Sequence, residues 1–287
     1  MIKQIAHNAI RVSDMDKSVK FYEEVVGMTK EFEVNDNDGN PWIVFLKAGQ
    51  EQFLELFYGG VREHERDYFH KNIGYHHFCV EVEDLEKTGE RLLAAGYIKD
   101  VKTTPGRDHN SGYWIHDPDD NAVEFVCYSP KSPHVASNKT KRPKTNKPLT
   151  GIGHVAYTTE DMQKSLHFYR DILGFEIIHE LDDEDGNDWL IYLRVCDGQY
   201  IELFYGGKNK LDYSPNPTGN MHLCFEVEDI QETASYLKKN GLHLFIEPMQ
   251  GNDGNWQCWT NDPDGNPVEF MQIGPDSPQA KCIKKEA

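Results

Sequence analysis

The sequence predicts an α+β fold built from four copies of one strand, helix, strand, strand, strand unit. Three observations carry this. The first is a duplication: HNAIRVSDMDKSVKFYEEVVGM from His7 is answered by HVAYTTEDMQKSLHFYRDILGF from His154, and QFLELFYGG by QYIELFYGG, at an offset of 147 positions. FCVEVED and NAVEF are answered by LCFEVED and NPVEF at an offset of 145. The second is that apolar periodicity changes from 2 to 3.6 and back in the same order within each half. The third is size. One such unit is too small to enclose a core, so adjoining sheets must pair, face to face or as an open cup.

The elements follow in chain order. Gln4 to Val12 alternates as a strand. Ser13 with Asp16 suits a helix start, and Val19, Tyr22, Val25 and Val26 give that helix an apolar stripe. Strands are expected around Thr29–Val34, Trp42–Leu46 and Gln52–Tyr58, the first two separated by the turn NDNDGN, with DDEDGN in the other half. These turns look superficially like calcium loops, but they lack the loop length and closing glutamate, so hairpin turns are expected. The next unit opens with a strand at Tyr75–Val82 and a helix at Asp84–Ala95, then strands to Cys127. Met221–Val227 and Ile230–Lys239 repeat that opening in the second half.

Between the halves lies SPKSPHVASNKTKRPKTNKPL, free of acids and rich in proline and lysine, which reads as an extended linker. The expected organisation is a first domain at 1–130, a linker at 131–149, a second domain at 150–275 and a tail at 276–287. The 287 residues carry a formal charge of -18, which argues against a nucleic-acid or anionic-membrane surface. No apolar run is long enough for a membrane span, no signal-peptide pattern is present, and the six cysteines form no CxxC pair. A cytoplasmic protein, monomeric or homodimeric and acting on a small molecule, is the expectation.

Acids and histidines recur where strands should be apolar. Glu55 in FLELF, Glu202 in YIELF, Glu124 in AVEFV and Glu269 in PVEFM all interrupt such runs. A buried carboxylate is costly unless paired or bound to metal. His7 and His154 open their halves in register, and His77 aligns with His222, whereas His76 aligns with Met221. Strand alternation therefore sends His76 to the opposite face from His77. Each half offers two imidazoles and two carboxylates, a neutral set for a divalent cation. Zinc, nickel, cobalt, manganese or iron suits it better than calcium or magnesium. His64, His70, His109, His116 and His134 have no histidine counterpart and read as surface or supporting residues. Cys79 and Cys224 read as small buried fillers.

Together, His7 with RVSDMDKSVKFYEEVVGM, the LELF and IELF strands, GYHHFCVEVED, and DPDDNAVEF with DPDGNPVEF resemble the vicinal oxygen chelate superfamily. That group contains glyoxalase I, extradiol dioxygenases and the bleomycin and fosfomycin resistance proteins, and the tandem form here is most similar to glyoxalase. The resemblance implies four βαβββ modules paired into two open, cup-shaped sheets, each holding at most one metal. It leaves two pairings open. The sites are His7/Glu55/His77/Glu124 and His154/Glu202/His222/Glu269, or the crossed sets His7/Glu55/His222/Glu269 and His154/Glu202/His77/Glu124.

The chemistry implied is proton transfer beside a metal-polarised carbonyl, with Glu124 or Glu269 as the base and Glu55 and Glu202 across from them. Arg11 matches a family arginine that grips glutathione, but Thr158 stands at its counterpart. Gly59, Gly206, Ile73 and Thr218 replace other members of that grip, so glutathione is not the expected cofactor. Trp114 and Trp259, where dioxygenases carry a tyrosine, join Arg11 as residues expected to meet substrate. An extradiol dioxygenase with Fe(II) or Mn(II) is the second reading, and a metal-free binding protein the third.

Overall fold

The computed structural model describes residues 1–62, 72–140, 149–210 and 216–285. Its first module is β1 (Ile2–Arg11), α1 (Met15–Phe21) running into a π-helical turn (Tyr22–Val26), β2 (Thr29–Asn35), β3 (Pro41–Lys47) and β4 (Phe53–Phe57). The second is β5 (Gly74–Val82), α2 (Leu85–Ala94), β6 (Ser111–His116) and β7 (Ala122–Cys127), followed by α3 (Pro133–Ser137). The third is β8 (Leu149–Thr158), α4 (Met162–Leu166) with its π-helical turn (His167–Ile172), β9 (Glu176–Asp182), β10 (Asp188–Cys196) and β11 (Gln199–Phe204). The fourth is β12 (Gly219–Val227), α5 (Ile230–Lys239), β13 (Ile246–Gln250), β14 (Trp256–Asn261) and β15 (Pro267–Gln272), with α6 (Pro278–Lys284) behind it.

Three local details depart from the sequence expectation. The cap of α1 is Asp14, which accepts from the Lys17 amide, while Ser13 binds Asp119 instead. A carboxylate one position nearer the helix is the stronger acceptor for a free amide. The second module forms two late strands rather than three, because residues 101–106 lie outside any strand. There the hydroxyl of Tyr113 donates to the carbonyl of Val101 at 2.6 Å, taking an acceptor that a sheet ladder would use. Finally, the stretch read as extended linker contains α3, and the tail contains α6. Both start from a Ser-Pro pair whose serine caps the helix and whose proline needs no donor. The acidic loops are hairpin turns: Asp36 and Asp183 each accept two backbone amides, and Gly39 and Gly186 supply the positive φ.

Two sheets result, in the orders β13-β14-β15-β12-β1-β4-β3-β2 and β6-β7-β5-β8-β11-β10-β9. Each contains one module from each half of the chain. The seams are the antiparallel pairs β1–β12 and β5–β8. The modules of one half thus sit in different sheets and are tied through their helices. Tyr22 donates to Asp117 at 2.7 Å, and Tyr169 to Asp262 at 3.0 Å. Gln52 and Gln199, 147 positions apart, stitch sheet to sheet by bonding backbone groups of Ile152 and Ile5.

Alternation divides each strand between two environments. Val44, Leu46, Leu54 and Leu56, with Ile191, Leu193, Ile201 and Leu203, join the helices in one core shared by both sheets. The intervening residues face away from it, and there the acids and histidines collect. Among the described residues no helix is long and apolar enough to cross a membrane.

Candidate metal centres

Four neighbouring strands carry each centre. In strand order β15-β12-β1-β4 stand Glu269, His222, His7 and Glu55, and in the order β7-β5-β8-β11 stand Glu124, His77, His154 and Glu202. The structure therefore assembles the crossed sets. All four histidines directly follow an unpaired extra residue in the β1–β12 or β5–β8 ladder: Ala6, Gly153, His76 and Met221. A bulge of this kind re-aims the next side chain and sharpens the local twist. It also overturns the alternation expected for the histidine doublet. His76 Nδ1 lies 2.7 Å from His77 Nδ1, so it supports its neighbour instead of leaving for the other face.

In the first centre the Nε2 atoms of His7 and His222 are 2.9 Å apart, and Glu269 Oε2 lies 3.0 and 3.2 Å from them. Glu55 closes the group at 3.3 Å from His7 Nδ1 and 3.8 Å from His222 Nε2. In the second, His77 and His154 present Nε2 atoms 3.0 Å apart, with Glu124 Oε2 at 3.5 and 2.9 Å and Glu202 at 3.6 and 3.4 Å. Ligands held about 2.1 Å from one ion stand about 3.0 Å apart at right angles and about 3.4 Å apart at tetrahedral angles. The paired Nε2 atoms with Glu269 or Glu124 stand near that spacing, Glu55 and Glu202 lie slightly wider, and the neutral N2O2 set suits a divalent transition metal.

The electrostatics repeat in both centres. Burial raises the pKa of Glu55 and of Glu202 to about 8. Burial also acts on Glu269 and Glu124, but hydrogen bonds and charge from the two histidines overcome it, lowering Glu269 to about 2 and Glu124 also. Burial opposes a charge on His7, yet Glu55 and Glu269 lift it to about 9. His154 is raised in the same way by Glu202 and Glu124, while burial depresses His222, and His77 to about 3. Without an ion each centre thus stores protons that a cation would displace.

The supporting residues differ between the centres. His154 Nδ1 meets the Tyr128 hydroxyl at 3.2 Å, whereas among the described residues His7 Nδ1 has only the Glu55 carboxylate nearby, at 3.3 Å and outside hydrogen-bond geometry. Sequence reasoning missed Tyr128; its signal was a departure between the halves, since Ile273 is its counterpart. Gly153 makes room for it, because a Cβ there would stand 2.7 Å from that hydroxyl. His134 is buried and stacked on Tyr128, consistent with a supporting role. His116 pairs with Asp120, and His109 takes a positive φ in a turn; His64 and His70 lie outside the described residues. Trp114 and Trp259 stand edge-on to His77 and His222 at 4.4 and 4.5 Å. Arg11 lies four residues beyond His7 on β1, partly buried. Cys79 and Cys224 are fully buried, each within reach of a ligand-type glutamate and histidine.

Two modules of this kind per sheet, with paired histidines and glutamates on one face, define a metal-dependent enzyme of the superfamily that the motifs suggested. The Glyoxalase/Bleomycin resistance protein/Dioxygenase superfamily matches residues 4–125 and again 151–270, and the chain belongs to it. It is 26% identical over 305 residues to the lactoylglutathione lyase of Schizosaccharomyces pombe, covering 94% of this chain and 96% of that protein. It is also 26% identical to the iron-dependent extradiol dioxygenase of Rhodococcus jostii over 253 residues, 83% of this chain and 77% of that one. A glyoxalase I mutant structure from Zea mays shares the fold with a TM-score of 0.70 at 21% identity, covering 98% and 96% of the two chains.

Proposed function

We propose that each centre binds one divalent transition metal and that the chain is a glyoxalase-type lyase or isomerase moving a proton next to a carbonyl. The observation that carries this reading is the strand order Glu-His-His-Glu, which places a carboxylate on each side of the imidazole pair in both centres. His7, Glu55, His222 and Glu269 would hold one ion, and His77, Glu124, His154 and Glu202 the other. A bound ion would supply a Lewis acid to polarise the carbonyl of a small hydroxycarbonyl or dicarbonyl substrate.

The chain's own groups do the rest. Glu269 and Glu124, kept ionised by their two histidines, take the proton from the carbon beside the carbonyl and return it to the neighbouring carbon. Glu55 and Glu202 stand on the far side of the imidazoles and carry a proton when no cation is present. Trp259 and Trp114 cover His222 and His77 and limit water access. With Gly59, Gly206, Ile73 and Thr218 in place of a glutathione grip, the substrate is not tied to that thiol.

Chain purified without chelator should contain about two equivalents of transition metal by elemental analysis. Glu124→Gln with Glu269→Gln should then abolish turnover while preserving the fold. A metal-free protein that gains no activity on adding zinc, nickel, cobalt, manganese or iron rejects the proposal. The relation to the Rhodococcus jostii dioxygenase gives a second reading, ring cleavage, which metal-dependent oxygen uptake with catechols would favour.

A further inference from the structure

The two centres match residue for residue, but the walls beside them do not. In the first sheet the cross-strand row through Glu55 continues to Phe45 and then Phe32. In the second, the row through Glu202 continues to Tyr192 and then His179. Next to them, Phe53 is answered by Tyr200. On the other faces of the same strands, Val44, Leu46, Leu54 and Leu56 are answered by Ile191, Leu193, Ile201 and Leu203, with no change of character. On that other face the change at the sheet edge runs the opposite way, polar Lys30 being answered by apolar Ile177. Apolar residues have become polar only on the face that meets the centre.

The chemistry of the two walls follows. Phe32, Phe45, Phe53 and Phe57 form an apolar cluster with Cys282 of α6, and Phe32 stacks on Phe45 at 4.3 Å. The second wall keeps uncommitted polar groups. Tyr200 is used to hold α3, donating to the His134 carbonyl at 2.7 Å. The Tyr192 hydroxyl and the His179 imidazole, by contrast, bond to no described residue. Beside Tyr192, at 4.6 Å between ring centres, lies buried His134. Its Nδ1 accepts from Asn110, which leaves Nε2 with the proton and, among the described residues, without a partner. A buried donor left unpaired is costly, and a ligand oxygen would satisfy it.

The geometry points to a division of labour, resting on the metal-dependent reading above: the Glu55/Glu269 centre takes substrates bearing an apolar alkyl or aryl group, and the Glu124/Glu202 centre takes polyhydroxylated ones. Pockets lined to hydrogen-bond a hydroxyl discriminate strongly against analogues that lack it.

The test uses the full chain loaded with zinc, titrated calorimetrically with benzohydroxamate and with gluconohydroxamate, metal-chelating probes of the two classes. Each should occupy one tight site per chain, and saturation with one should not displace the other. His179→Phe with Tyr192→Phe copies a wall that already packs in the first sheet; Tyr192→Phe alone is the milder control. The double substitution should create a second tight benzohydroxamate site and weaken gluconohydroxamate at least tenfold, with the single one weakening it about fivefold. Competition of both probes for the same sites, or isotherms unmoved by either variant, overturns the division while leaving the metal-dependent reading intact. Failure to take up zinc at all overturns both.

Discussion

Gly153→Ala tests how the second centre is supported. A Cβ at this position would lie 2.7 Å from the Tyr128 hydroxyl and 3.3 and 3.4 Å from two of its ring carbons. Ordinary contact requires about 3.5 Å, so the hydroxyl must retreat by most of an ångström. Tyr128 cannot swing freely, since its ring stacks on His134 at 4.9 Å and meets Tyr200 edge-on at 5.5 Å. Forced overpacking of this size costs about 1–3 kcal/mol, and the hydrogen bond to His154 is lost with it. Removing such a partner of a metal-ligating histidine typically lowers metal affinity about 10- to 100-fold. Tyr128→Phe removes the clashing oxygen, so in that background Gly153→Ala should cost less than about 1 kcal/mol. Urea unfolding of the four proteins gives the coupling directly, and zinc competition titrations give the affinity. An equal cost of Gly153→Ala with and without the hydroxyl would refute the steric account.

Further outcomes are expected elsewhere. Burial raises the Asp262 carboxyl to about 6 against hydrogen bonds from Asn266 and Tyr169, so folding takes up a proton between about pH 4 and 6. Its stabilising contribution is complete below the unfolded value and is lost as pH rises through 6. Unfolding free energies should therefore favour wild type over Asp262→Asn more at pH 5 than at pH 7, by about 1 kcal/mol; a constant difference rejects this. Tyr22→Phe removes the 2.7 Å bond to Asp117 and should destabilise the chain by about 1–2 kcal/mol in urea, with no loss counting against that link. Native protein should expose only Cys127 and Cys196 to Ellman's reagent, because Cys79, Cys224, Cys258 and Cys282 are buried. Fast labelling of Cys79 would contradict the packing around the second centre.

Much of this arrangement was legible in the chain because duplication turns chance into pattern. A single Glu55 in FLELF is ambiguous, but four glutamates and four histidines in register share a cause. The pairing of modules was not legible, since both halves supply the same ligand types and either assembly satisfies them. Nor were the bulges. Ala6, His76 and Met221 carry no special backbone signal, and the re-aiming of His76 follows from ladder register, which is a property of two strands. Tyr128 was hidden for a related reason: its partner His154 lies in a strand of the other half. Where the second module lacks a strand, the Val101 carbonyl is bonded by the Tyr113 hydroxyl, a contact beyond local propensity.

The seams β1–β12 and β5–β8 have a consequence for how such a molecule can change. Two separate copies of one half, paired by these same seams, would be bound by twofold symmetry. Every substitution would then appear in both cups at once. Joining the copies in one chain removes that obligation, because each cup is written by residues that occur once. Phe45 can remain while its counterpart becomes Tyr192, and Ile273 can remain while its counterpart becomes Tyr128. Yet each half still contributes a histidine and a glutamate to both cups, so neither cup can outlive the loss of either half. The chain is free to diversify and unable to divide.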